Sequence, residues 1–112
     1  MITHKLFIPP LKTQLQLVND WSFDLYDEYR NYNFWSAYHN SPPKGNNVST
    51  SVVTIPKETI MSIERIYIKR GLGDYDSVTF RILDSPNRNI RKKRFWVKLK
   101  YVNQMEVLLI KS

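Results

Sequence analysis

The residues best equipped for chemistry form a basic run that leads into an alternating segment. Four consecutive cations are followed by a tryptophan and a lysine at alternate positions: Arg91, Lys92, Lys93, Arg94, Trp96 and Lys98. Successive side chains of a strand point to opposite faces, so Arg94, Trp96 and Lys98 would share one face. Phe95 and Val97 would share the other. Such a row can bind phosphate groups through its cations and stack a base on its indole ring. It is equally the pattern of a half-buried strand with a solvated basic face, in which the N-terminal strands cover Trp96.

A neighbouring strand can extend this basic face. Between Ser77 and Leu83, apolar and polar residues alternate, and Thr79 and Arg81 lie on the polar side. If this strand pairs with the one that follows the basic run, both would join the basic row. Further cations from adjacent loops would lie at its rim: Lys69, Arg70 and Arg88. The predicted nucleic-acid-binding set is therefore Arg81, Arg91, Lys92, Lys93, Arg94, Trp96 and Lys98.

The positive charge of the chain is concentrated in its second half. The net charge is +7. Residues 1–56 contain four basic and four acidic residues, whereas residues 57–112 contain thirteen basic and six acidic residues. Such asymmetry favours a polyanionic partner, with nucleic acid, either DNA or RNA, as the first choice. A solubilising surface would give the same asymmetry, because a net charge of this size is ordinary for a small domain.

An aromatic segment in the first half offers a different kind of surface. Tyrosine, tryptophan and arginine dominate the binding hot spots of protein interfaces, and they are dense here: Tyr26, Tyr29, Arg30, Tyr32 and Trp35. The alternative hypothesis is therefore a protein-binding inhibitor or adaptor. In its residue usage, rich in Asn, Lys and Ile, the chain resembles small accessory proteins of phages and mobile elements. A first half with clustered acids and aromatics and a basic second half would also suit a homodimer.

Residues suited to catalysis are few. The chain has no cysteine, which excludes a Cys nucleophile, a thiolate metal site and disulfides. Its two histidines, His4 and His39, are predicted to be exposed loop residues, and no serine lies in a nucleophile-elbow sequence. Four acids gather between residues 20 and 28, where solvation or charge balance accounts for them: Asp20, Asp24, Asp27 and Glu28. We therefore predict no catalytic residue, no cofactor and no metal.

A toxin-type ribonuclease is the third hypothesis. Small basic β-proteins include such toxins, in which Arg, Lys and Tyr stabilise a phosphoryl transition state. The toxin family with an SH3-like barrel usually carries a Gly-Asp pair on its first strand and an Arg-Pro further on. This sequence has neither motif in those places. A non-enzymatic binding protein is therefore favoured.

Short strands punctuated by turns dominate the sequence. One domain is expected over residues 1–112, with six to eight strands and no helix, an all-β or β-rich α+β class. Small sheets often avoid unpaired edges by closing on themselves. The predicted architecture is therefore a small antiparallel barrel, SH3-like or related, with an N-terminal β-ribbon. An extended arm is expected over residues 1–11 and a long loop over residues 36–51.

Two segments carry more specific structural predictions. Aromatic alternation from Trp21 predicts a strand that continues towards Trp35, with a helix as the competing interpretation. The segment from Glu58 to Arg70 is apolar on both faces, which is typical of a central or bulged strand. The glycine-containing sequence from Gly71 to Asp74 would then join it to the next strand as a hairpin.

No stretch approaches the roughly 20 apolar residues that a membrane helix needs, and no signal peptide is recognisable. The sequence therefore predicts a soluble cytoplasmic protein without a membrane partner.

Overall fold

Two antiparallel sheets form the framework of the protein. The computed structural model describes residues 3–5, 11–45, 49–68 and 76–111. Its eight strands are β1 (Thr3–Lys5), β2 (Gln14–Leu17), β3 (Trp21–Tyr26), β4 (Thr50–Ile55), β5 (Ile60–Tyr67), β6 (Ser77–Asp84), β7 (Arg94–Lys98) and β8 (Glu106–Lys111). Two helices, α1 (Tyr32–His39) and the single-turn α2 (Leu99–Val102), accompany them. The β-rich class predicted from the sequence is confirmed.

The larger sheet has six strands in the order β1-β8-β2-β5-β6-β7, and β3 and β4 form a second sheet of two strands. Strands β1 and β7 are the two edges of the larger sheet and do not pair with each other. The strands that the structure describes thus form an open sheet, and the predicted SH3-like barrel is not confirmed. The extended arm predicted over residues 1–11 contains β1, which pairs with β8, and its residues 6–10 lie outside the described residues.

The core lies between one face of the larger sheet and the layer made by β3, β4 and α1. Alternation within β7 directs the buried Phe95 into this core. The Phe95 ring is stacked on Phe23 with 5.4 Å between centroids, and it lies 4.7 Å from the ring of Phe34 in α1. Trp21 meets Phe80 of β6 edge-to-face at 5.8 Å. The core is therefore an aromatic cluster that fixes the smaller layer on the larger sheet.

The segment after β3 turns into a helix, which differs from the predicted strand and loop. Residues Tyr29–Asn31 form a 3-10 turn, and α1 follows directly. The apolar residues Phe34, Trp35 and Tyr38 recur at helical spacing, and burying Phe34 and Trp35 on one face outweighs the strand preference of aromatic residues. Ser36–His39, assigned to the loop from the sequence, complete the helix, which ends at Asn40 in the left-handed conformation. Among the described residues, no helix is long and apolar enough to cross a membrane.

Strand β5 is both central and bulged, as predicted. It lies between β2 and β6, and its register against β6 shifts between Ile60 and Met61 and again between Ile63 and Arg65. Strands β5 and β6 pair antiparallel as a hairpin requires, although the predicted connection Gly71–Asp74 lies outside the described residues. Strand β7 ends at Lys98, because Leu99–Val102 turn into α2.

The outer edge of β7 is closed by the side chain of Asn31. The carboxamide oxygen of this buried residue accepts from the backbone N–H of Trp96 at 2.8 Å. Its Nδ2 donates to the carbonyls of Tyr26 at 3.1 Å and Trp96 at 3.5 Å. One side chain thus bonds both backbone groups of Trp96, as a neighbouring strand would, and blocks pairing at the middle of this edge.

The edge bonds give the first testable prediction. Asn31→Ala leaves the N–H and C=O groups of Trp96 without partners beneath the 3-10 turn. We expect the free energy of unfolding to fall by about 1–3 kcal/mol, the usual cost of orphaned polar groups, measured by urea denaturation. Asn33→Ala, at an exposed position two residues later, is the control and should change stability by less than about 0.5 kcal/mol. Equal effects of the two substitutions would contradict this role for Asn31.

Candidate functional site

The outer face of β5, β6 and β7 carries two rows of polar residues in register. Arg65, Thr79 and Trp96 form one row. Arg81 lies between Ser62 and Arg94 in the next row. The pairing of β6 with β7, on which the predicted basic face depended, is confirmed. It places two arginines, Arg81 and Arg94, directly opposite each other across adjacent strands.

These rows form the floor of a concave surface with a volume of about 670 Å³, here called the basic cleft. Its lining comprises five cations, one carboxylate and four uncharged polar or aromatic residues: Lys12, Arg30, Arg65, Arg81, Arg94, Glu64, Tyr29, Asn33, Thr79 and Trp96. A smaller depression of about 240 Å³ adjoins it, since the two share Arg30, Arg81 and Arg94. Lys92 and Lys93 add two more cations there. The local charge is therefore strongly positive.

Glu64 organises part of the cleft by pairing with two of its cations. One carboxylate oxygen accepts from Nε of Arg81 at 2.7 Å, and the other accepts from Nζ of Lys12 at 2.9 Å. Arg81 also donates from Nη1 to the carbonyl of Lys92 at 3.2 Å. These bonds occupy two of the five donors of the Arg81 guanidinium and fix its orientation.

The same contacts set the charge of Glu64. The hydrogen bonds from Arg81 and then Lys12 lower the pKa of the Glu64 carboxyl below its usual value, and they outweigh the opposing effect of burial. The group is therefore a carboxylate at neutral pH. It offsets only part of the positive charge around it.

The wall of the cleft is built by the 3-10 turn packed against Trp96. The indole Nε1 donates to Oε2 of Glu28, which also accepts from Nε of Arg30 at 2.8 Å. The Trp96 ring is stacked on Tyr26, with 5.4 Å between centroids and planes 6° apart. The guanidinium carbon of Arg30 lies 5.0 Å from the indole centroid. The half-buried Trp96 ring is thus already stacked on Tyr26 of the same protein.

Two lysines have unusual backbone conformations, one in the cleft and one in the adjoining depression. Lys12 has φ of 69° and Lys92 has φ of 67°, in the left-handed region that β-carbon-bearing residues seldom adopt. Surrounding bonds hold both: the Lys12 N–H donates to Ile63 O at 2.7 Å, and the Lys92 N–H donates to Ile82 O at 2.8 Å. Local strain of this kind tends to cluster at functional sites.

The structure brings five of the seven predicted residues together, whereas Arg91 and Lys98 line neither the cleft nor the adjoining depression. Arg81, Arg94 and Trp96 line the cleft, and Lys92 and Lys93 line the adjoining depression. Arg91 instead pairs with Asp84 at 3.0 Å and lines a different depression. The ammonium group of Lys98 lies 5.2 Å from the centroid of Tyr26, beside the stacked pair. Of the predicted rim, Lys69 and Arg70 lie outside the described residues.

The residues predicted for a protein interface do not form one exposed surface. Only Tyr29 and Arg30 are exposed, and both line the basic cleft. Trp35 is buried in the core. Tyr26 is half-buried on Trp96, and Tyr32 is half-buried, with its hydroxyl close to Gly45.

The acids of the first half act within the protein. Asp24 accepts from the Tyr101 hydroxyl at 2.8 Å, which raises the pKa of that phenol. The buried Asp27 accepts from the backbone N–H groups of Lys44 at 2.8 Å and Gly45 at 3.0 Å, and it thereby fixes the chain after α1. Among the described residues, no group of three or more potential metal ligands occurs.

Sequence reasoning did not assign Lys12, Glu64 or Arg65 to the site. Lys12 belongs to the half of the chain without net charge, and its ion pair with Glu64 joins residues 52 positions apart. Glu64 and Arg65 interrupt the apolar run Ile60–Ile68. A charged pair within a strand that is apolar on both faces was the available signal.

No family model, curated protein or solved structure matches this chain. Its function has to be inferred from the geometry and charge of the cleft.

The Glu64 contacts predict a pH dependence of stability. Because the folded pKa is lowered, the contribution is complete above the ordinary value of 4.5 and is lost as pH falls towards the folded pKa. We expect Glu64→Gln to lose less stability than the wild type as pH falls below about 5, measured by urea denaturation. The control is Glu58→Gln, at an exposed position in the turn before β5. A wild-type-like pH dependence for Glu64→Gln would contradict the inferred charge.

The opposed arginines predict a second effect on stability. Like charges directly across a strand pair are destabilising, and opposite charges contribute roughly 0.2–1 kcal/mol. Arg94→Glu should therefore raise the free energy of unfolding by an amount in this range, with Arg94→Gln intermediate. The gain should shrink at about 1 M salt, where screening acts within roughly 3 Å. A loss of stability in Arg94→Glu would contradict repulsion at this position.

Proposed function

We propose that this protein is a non-enzymatic nucleic-acid-binding protein that holds the phosphate backbone in the basic cleft. The observation that supports this most is the juxtaposition of Arg81 and Arg94, with Arg30, Arg65 and Lys12 around them. Folding alone favours separating such charges, so their convergence is best explained by an anionic partner. Arginine forks match phosphate oxygens in geometry as well as in charge.

Backbone contacts would supply most of the affinity. Cations that neutralise phosphates release counterions, which gives binding a steep salt dependence and little sequence preference. The arginine donors are directed by neighbouring acids: Glu64 orients Arg81, and Glu28 orients Arg30. The smaller depression at Lys92 and Lys93 would provide further contacts for the nucleic-acid backbone beyond the cleft.

The contacts of the cleft argue against the ribonuclease alternative. A general base works best with a pKa near the working pH, whereas the pKa of Glu64 is lowered by Arg81 and Lys12. His39 packs against Trp35 and Tyr38, with ring centroids 4.9 Å and 5.0 Å away, and it does not line the cleft. These features favour binding without catalysis.

The protein-binding alternative has weaker support. Its candidate residues are split between the core and the cleft, so they offer no compact apolar patch of the kind that protein interfaces centre on. A pull-down from cell lysate with and without nuclease treatment distinguishes the two functions. Partners retained after nuclease treatment would favour a protein partner over nucleic acid.

The central prediction concerns one cation of the adjoining depression, Lys93, and one that lines both it and the cleft, Arg94. Labelled DNA and RNA oligonucleotides are titrated with wild type and with Lys93→Ala/Arg94→Ala, and fluorescence anisotropy is followed at two salt concentrations. We expect the variant to bind more weakly at low salt. The slope of log affinity against log salt should decrease by about 0.7–0.9 for each phosphate contact removed.

A charge-matched control distinguishes the loss of contacts in the cleft from the loss of net positive charge. Lys57→Ala/Arg88→Ala also removes one lysine and one arginine, both at exposed positions outside the cleft. This variant should bind nearly as well as wild type. Absence of wild-type binding at low salt would contradict the proposed function. Equal losses of affinity in the two double variants would contradict the assignment of binding to the cleft.

A further inference from the structure

We infer that the basic cleft takes a single-stranded nucleic acid and stacks one of its bases on Tyr29. This inference rests on the proposed function and names the form of the partner and the residue that contacts the base. The sequence had suggested Trp96 for stacking. The structure instead offers Tyr29, an exposed tyrosine that lines the same cleft.

The shape of the site favours a single strand. Duplex DNA is read by an element that projects from the protein, such as a helix or a two-stranded ribbon that enters the major groove. The outer face of β5, β6 and β7 is instead concave, with its cations along the floor. A volume of about 670 Å³ is within the range of sites that enclose a small molecule. Such a groove can receive an unpaired nucleotide, whereas a double helix would rest across its rim.

The aromatic residues at the cleft differ in their availability. Trp96 is stacked on Tyr26, bonded to Glu28 and approached by Arg30 at 5.0 Å, so its ring has partners within the protein. Tyr29 is 71% exposed and also lines the cleft. An exposed ring beside cations is the arrangement with which proteins hold single strands without reading their sequence.

Arg30 couples the exposed ring to the rest of the site. Its guanidinium carbon lies 5.9 Å from the Tyr29 centroid and 5.0 Å from that of Trp96. The Glu28 carboxylate holds Arg30 in this position through its Nε and its backbone N–H. A base stacked on Tyr29 would therefore place its phosphate near a guanidinium that is already oriented.

The test compares single strands and duplexes. Wild-type protein is titrated with a labelled single strand of about ten nucleotides, within the 4–16 that one small β-domain commonly covers. The matching duplex, in DNA and in RNA, forms the second arm. We expect the single strand to bind more tightly at equal salt. Tyr29→Ala should weaken single-strand binding by roughly 5- to 150-fold, the range for loss of one stacked base.

Two further variants separate stacking from other roles of the ring. Tyr29→Phe retains the aromatic face and should bind like wild type, whereas Tyr29→Leu retains apolar bulk and should bind like Tyr29→Ala. Because Tyr29 is exposed, all three variants should keep the wild-type urea midpoint. A strand of the same length that is abasic throughout should bind wild type and Tyr29→Ala equally.

The outcomes distinguish this inference from the function on which it rests. If wild type binds no oligonucleotide, both are overturned. If wild type binds and the cleft cations matter, but duplexes bind as tightly as single strands, the single-strand inference is overturned and the proposed function stands. If Tyr29→Ala and Tyr29→Phe bind equally, the stacking role of Tyr29 is overturned.

Discussion

The hydrogen bonds between the Asn31 carboxamide and the Trp96 peptide hold together two parts of the chain that are 65 residues apart. They close the outer edge of β7 and fix the 3-10 turn Tyr29–Asn31 beside it. The position of Arg30 over the indole follows from this attachment, as does the place of Tyr29 at the cleft. The wall of the basic cleft therefore depends on one buried amide that satisfies the backbone of an edge strand.

The two faces of the larger sheet follow different physical requirements. On the inner face, Phe80 and Phe95 join the aromatic cluster with Trp21, which supplies the apolar burial that stabilises the fold. On the outer face, Arg81 and Arg94 lie directly opposite each other, and the repulsion between their charges opposes folding. Glu64 offsets part of that repulsion while it fixes the Arg81 side chain. Such local conflicts with stability are expected where a surface has been shaped for a partner.

The parts of this structure that follow from local patterns could be predicted from the sequence. Alternation alone identifies the outer face of β6 and β7, and apolar residues on both sides identify β5 as central. Features that depend on distant contacts could not be predicted. Helix α1 forms because Phe34 and Trp35 are buried together, which overrides the strand preference of its aromatic residues. Trp96 is braced by Tyr26, a contact set by the tertiary fold and invisible in the sequence around either residue.

The most direct test of the account is an NMR titration of ¹⁵N-labelled protein with a short single strand at low salt. If the basic cleft is the binding site, the largest chemical-shift changes will fall on the amides of Tyr29, Arg81 and Arg94 and on the Trp96 indole N–H. Residues of β4 on the opposite layer will change little. The assignment of binding to the basic cleft would be contradicted if the cleft signals did not move. Shifts would then be concentrated on β4 or on the turn that carries Arg88.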